Sequence, residues 1–134
     1  MTAVRSPFLR TVIALDAAVC GLGGAVFAFD AGLLEGPLGL SPSLMQPVGG
    51  FLLVYAGLLA WLATRPALPR AGVWALVAFN LIWAAESVAL VALGFAQPTT
   101  LGLAAILGQA AGAAVVADLQ WLALRRHRRE AVAA

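Results

Sequence analysis

The sequence predicts an all-α polytopic membrane protein, a transmembrane four-helix bundle running up-down-up-down with both ends on the cytoplasmic side. Three observations predict it. The 134 residues are 63% hydrophobic and 10% charged, with a mean hydropathy of +0.97, whereas water-soluble domains carry about 25% charged residues. The apolar residues fall in four long runs, each near the ~20 residues that cross a hydrocarbon core ~30 Å thick. All eight basic residues are arginines, and all fall on one side of a four-crossing path.

The first run, 8–29, has 22 residues, about 33 Å of helix at ~1.5 Å per residue. A secretory signal peptide is the competing reading, because Arg5 and Arg10 precede the run and Val26-Phe27-Ala28 imitates a cleavage site. Against it, the run exceeds a signal core of ~7–15 residues and contains Asp16. The second span, 45–64, opens behind Ser41-Pro42, residue types suited to an N-cap and first turn, and Pro47 falls where a missing N–H costs least. The third, 71–96, is closed by Gln97-Pro98-Thr99-Thr100, a breaker that also caps the fourth, 101–124. A basic tail, 125–134, completes a single membrane domain, 1–134. Barrel strands are excluded, since they would be ~10 residues long with strict alternation.

Orientation follows from the arginines. Arg5 and Arg10 precede span one, Arg65 and Arg70 lie between spans two and three, and Arg125, Arg126, Arg128 and Arg129 follow span four. The other connections, 30–47 and 97–100, carry Asp30 and Glu35 and no positive charge. The positive-inside rule therefore places both ends in the cytoplasm. Coming straight after a span, the tail run around His127 reads as a topology lock that attracts anionic lipid, at ~1 kcal/mol per basic residue, rather than as a nucleic-acid contact. The expected location is the bacterial inner membrane, the bacterial part resting on the high Ala, Gly, Leu and Arg and the absence of lysine.

Helices in lipid associate through small residues and interhelical hydrogen bonds. Candidates are Gly21, Gly23 and Gly24 in span one, Gly50 and Gly57 in span two, and Gly108-x-x-x-Gly112 with Ala104, Ala111 and Asp118 in span four. Short connections make consecutive spans antiparallel neighbours, with spans one and four adjacent. The connection 30–47 reads as a lid or a tether in the outer interface. Trp61, Trp74 and Trp121 sit where rings anchor helices at the headgroups, while Trp83 is deeper and needs a partner for its N–H.

An ionisable group inside a bilayer is costly and marks function by default. Asp16 and Asp118 lie at matching depth, ~9–10 Å inward from the nearest arginines. They could face each other and share a proton, or pair with Arg10, Arg70 or Arg125. Glu86 is near the middle of span three, at about the depth of Gln109. Asn80, Trp83 and Ser87 share with it an arc of ~120°, a continuous polar face expected to point inward. Glu86 is then either a protonated donor that locks helices together or the centre of a binding site. Gln120 lies on the Gln109 side of span four and Asp118 roughly opposite, so one direction is a candidate subunit interface.

Several functions are excluded on chemistry. The only histidine, His127, is in the tail, so a b-type haem has no axial ligand. Without lysine no retinal Schiff base forms, and the lone Cys20 supplies neither a disulfide nor a His/Cys metal site. No metal or other cofactor is expected, and an enzyme is the less favoured class, a carboxylate-only mechanism staying open. Two readings stand. One is binding or transport of a proton or a small polar or cationic molecule through the Glu86 face. The other is a structural or accessory subunit, or an assembly factor, whose acids serve packing. Membrane lipids, and a second copy or a partner membrane subunit, are the expected partners; nucleic acid is not.

The stretches Ala60-Trp61-Leu62-Ala63-Thr64-Arg65-Pro66, Val73-Trp74-Ala75-Leu76-Val77-Ala78-Phe79-Asn80-Leu81-Ile82-Trp83 and Ala117-Asp118-Leu119-Gln120-Trp121 give the chain a layout that resembles small four-helix bacterial inner-membrane proteins, many without assigned activity. Small multidrug-resistance transporters are similar in size, span count and an acid in span one, where Asp16 stands. Their motif around that acid is not present here. The resemblance implies a four-span bundle and no particular activity.

Overall fold

The computed structural model describes residues 3–133. A short strand β1 (Ala3–Val4) leads into helix α1 (Pro7–Phe29). Ser6 is extended, and its hydroxyl accepts from the Leu9 N–H at 3.1 Å, while Pro7 occupies the first turn. Those two residues start the helix because they satisfy or remove its orphan donors. Helix α3 (Pro42–Ala63) begins behind an extended Ser41 with Pro42 in its first turn, but the Ser41 hydroxyl makes no cap bond to the helix; it follows a short helix α2 (Ala31–Leu38). Strand β2 (Leu68–Pro69) precedes α4 (Arg70–Ala92), and α5 (Thr100–Ala133) closes the chain.

The fold is all-α, with four helices, α1, α3, α4 and α5, long and apolar enough to cross a membrane. Their large apolar side chains, among them Leu22, Val54, Ile82 and Leu107, are exposed all round the bundle, as a protein solvated by hydrocarbon requires. Some details differ from the sequence expectation, the second helix opening at Pro42 rather than 45. The third helix ends at Ala92 rather than 96, because Gly94 takes a left-handed φ of 76° and turns the chain out of the helix. The fourth continues through the arginine tail to Ala133 as one helix of 34 residues, about 51 Å long, so its last turns outrun a ~30 Å hydrocarbon core. The 30–47 connection holds α2, which is docked: the Thr99 N–H donates to the Leu38 carbonyl at 3.1 Å and the Thr99 hydroxyl to the Pro37 carbonyl at 2.6 Å.

Helix α1 packs most closely on α3, and α4 on α5, while α1 also touches α5. Gly24 and Gly49 set the first approach. A Cβ on Gly49 would strike the Ala28 nitrogen and lie 2.7 Å from the Gly24 oxygen. Of the glycines expected to pack, Gly24 does so, whereas a Cβ on Gly23, Gly50, Gly57, Gly108 or Gly112 meets nothing within 4 Å among the described residues. Between α3 and α4 the spacing is wider and filled by rings: Tyr55 stacks on Phe79 with centroids 4.2 Å apart, and Phe51 lies 6.0 Å from Trp83.

β1 pairs antiparallel with β2, Ala3 opposite Pro69 and Val4 opposite Leu68. This ribbon ties the start of the chain to the loop between α3 and α4. Nearby, Arg10 donates through Nε to the Ala63 carbonyl at 3.1 Å, and the Arg126 guanidinium lies 5.6 Å from the Phe8 ring centroid. The three arginine-bearing segments therefore meet at one end of the bundle. A second apolar cluster around Ala31, Leu38, Met45 and Ile106 closes the other end.

Candidate functional site

The residues that the bundle draws into its interior are Asp16 from α1, Tyr55 from α3, Asn80 from α4 and Gln120 from α5, one from each long helix. They are 8%, 7%, 4% and 0% exposed, respectively. Asp16 lies two turns inside α1 from Arg10, and Gln120 lies five residues before Arg125, so both fall in the half of the bundle nearer the arginines. Cys20, one turn beyond Asp16, donates through its S–H to Asp16 Oδ1 at 3.4 Å. Asn80 Nδ2 donates to Gln120 Oε1 at 3.3 Å and to the Leu76 carbonyl at 3.1 Å, and it lies beside the Asp16 carboxyl. Tyr55 packs in the same apolar cluster as Cys20.

This cluster is incompletely bonded. Asp16 Oδ2, the Tyr55 hydroxyl and Gln120 Nε2 are buried and have no hydrogen-bond partner among the described residues. An unpaired buried polar group costs roughly 1–3 kcal/mol, so these three, on α1, α3 and α5, are unused hydrogen-bonding capacity inside the bundle. Their chemistry is complementary: Oδ2 accepts, Nε2 donates and the hydroxyl does both.

No protein-family model, curated protein or solved structure matches this chain. Its functional reading rests on its own residues.

The expected polar face of α4 does not point inward as a unit. Asn80 does, but Glu86 is exposed on the outer side of the helix. Six residues of helix turn Glu86 about 120° away from Asn80, and the buried stripe of α4, Val73, Leu76, Val77 and Asn80, is too narrow to include both. Trp83, Ser87 and Gln109 form a separate chain on the α4–α5 seam. The Trp83 indole N–H donates to Gln109 Oε1 at 2.8 Å, Gln109 Nε2 donates to Ser87 Oγ at 2.8 Å, and Ser87 donates to the Trp83 carbonyl at 2.7 Å. That chain is satisfied within itself and fastens two helices.

Asp118 does not meet Asp16. It is exposed, because two residues of helix rotate it about 200° from the inward-facing Gln120. Nor is Asp16 held by the arginines expected near it: Arg10 caps α3 through the Ala63 carbonyl, and Arg125 lies over the Trp121 ring at 4.7 Å. Of the seven residues singled out from sequence, Asp16 and Asn80 share the buried cluster. Tyr55, Cys20 and Gln120 are the members that sequence reasoning misses. One signal was available, since Tyr55 is the only tyrosine and its hydroxyl, set in a long apolar run, needs a partner.

Among the described residues, no group of three or more His, Cys, Asp and Glu side chains could hold a metal ion.

Proposed function

We propose that this multi-pass membrane protein resides in the bacterial inner membrane with both ends in the cytoplasm, and that it binds a proton inside its bundle at Asp16. The observation that carries the reading is the burial of three polar atoms without partners among the described residues, Asp16 Oδ2, the Tyr55 hydroxyl and Gln120 Nε2, on three helices. The near-complete burial of all four cluster residues suits a proton, with or without one water, better than an organic solute. A carboxyl group in hydrocarbon gains by taking a proton, because the ionised form loses its hydration. The arginine distribution supports the orientation, and helical rather than barrel spans support an inner membrane.

Infrared difference spectroscopy of the reconstituted protein between acid and alkaline pH tests this. A carboxylic C=O band that comes and goes with pH, disappears in Asp16→Asn and survives in Glu86→Gln is the expected result. A pH response unchanged in Asp16→Asn defeats the proposal. If transport follows from binding, liposomes carrying the protein acidify under an imposed potential, and Asp16→Asn removes that flux.

A second reading, a structural or accessory subunit, is favoured by the internally satisfied Trp83–Gln109–Ser87 chain and the Gly24–Gly49 contact, both of which serve packing alone. Under it, Asp16→Asn changes the unfolding transition in detergent and leaves proton uptake alone.

A further inference from the structure

We propose that the arginine-rich end of the bundle carries a built site for the phosphate group of an anionic lipid, in the cleft between the start of α1 and the far end of α5. The cleft has a volume of about 180 Å³, and its lining includes Arg5, Ser6, Phe8, Arg126, His127 and Glu130. It holds the volume of about six water molecules at ~30 Å³ each, enough for a phosphodiester.

The chemistry fits an anion from two directions. Arg5 approaches from the chain before α1 and Arg126 from α5, and guanidinium forks match phosphate oxygens in pairs. Arg126 is held over the Phe8 ring, and ordering of that kind lowers the entropy lost on binding. The first turn of α1 adds the positive end of a 23-residue helix.

Depth selects the source of the phosphate. Arg126 follows directly on the apolar part of α5. Trp121 under Arg125 at 4.7 Å and Trp61 under Arg65 at 4.2 Å mark the level where aromatic rings meet headgroups. The cleft therefore opens in the layer where lipid phosphates are dense.

This differs from a diffuse attraction between a basic tail and an anionic surface. Of the four tail arginines only Arg126 lines this cleft, while Arg125, Arg128 and Arg129 share a more open face of α5 with Val132 and Ala133. Glu130 opposes the anion, which supplies a test by sign.

Native mass spectrometry of the full chain, in detergent with equal phosphatidylglycerol and phosphatidylcholine, reads the site. Wild type should retain phosphatidylglycerol preferentially. Arg5→Gln with Arg126→Gln should weaken that retention about 25-fold, taking ~5-fold per arginine, and Arg128→Gln with Arg129→Gln should weaken it less than about 2-fold. Glu130→Gln should strengthen it. Should inorganic phosphate displace the lipid at comparable concentration, the site stands with free phosphate as its source. Equal losses in the two double variants, or no change with Glu130→Gln, would show general charge attraction and overturn the proposal.

Discussion

Gly49 shows how much one residue decides in a protein whose solvent is lipid. Lipid tails are as apolar as leucine, so helices gain little from burying apolar side chains and associate through close backbone approach. The Gly49 Cα faces the backbone of α1 at Gly24, Phe27 and Ala28, atoms that cannot swing aside. Gly49→Ala should therefore cost about 1–3 kcal/mol, the range for overpacking, measured as reversible unfolding in mixed micelles. Gly57→Ala, whose new methyl meets no described atom within 4 Å, should change stability by less than ~0.5 kcal/mol. The apolar runs showed that glycines of span two could serve packing. They did not reveal that Gly49 rather than Gly50 faces α1, because adjacent residues differ only by a ~100° rotation about the helix axis.

At the scale of the element, Thr99 joins two parts of the chain far apart in sequence. Its hydroxyl accepts from the Gly102 N–H at 3.1 Å, capping α5, and donates to the Pro37 carbonyl at the end of α2. Gly102 permits the contact, since a Cβ there would strike the Leu38 carbonyl, and Gly39 turns the chain back at a φ of 67°. Thr99→Ala should lose both bonds and cost about 1 kcal/mol, the usual value of a cap. Hydrogen exchange should then speed up in α2 and the first turn of α5 but not in α1. Thr99→Ser should behave as wild type. The cap was legible in Gln97-Pro98-Thr99-Thr100, but its second bond was not, because nothing local in 30–47 names the surface against which α2 docks. The continuous α5 was legible only up to its apolar end, since hydropathy stops reporting where the helix leaves the hydrocarbon.

For the whole molecule, the β1–β2 ribbon, the Arg10 bond to α3 and the Arg126–Phe8 contact bring all three arginine segments to one end. On a Cys20→Ala background, Ala67→Cys and Ala131→Cys should react with a membrane-impermeant maleimide from the same face of oriented vesicles, the cytoplasmic one. Gly32→Cys should react from the other. Labelling of positions 67 and 131 from opposite faces would break the four-crossing path.

The number of crossings, the helical class and the gathering of arginines at one end were determined by the sequence alone. Each rests on a transfer cost that adds residue by residue and needs no knowledge of a neighbour. Which polar side chains meet inside the bundle was decided by the tertiary structure. Helix α4 spreads Asn80, Trp83, Glu86 and Ser87 over an arc of ~120°, and its pattern does not say which part of that arc turns inward. Close packing at Gly24 and Gly49 and the ring stack between Tyr55 and Phe79 accompany a helix arrangement that buries Asp16, Tyr55, Asn80 and Gln120 together and leaves Glu86 and Asp118 outside.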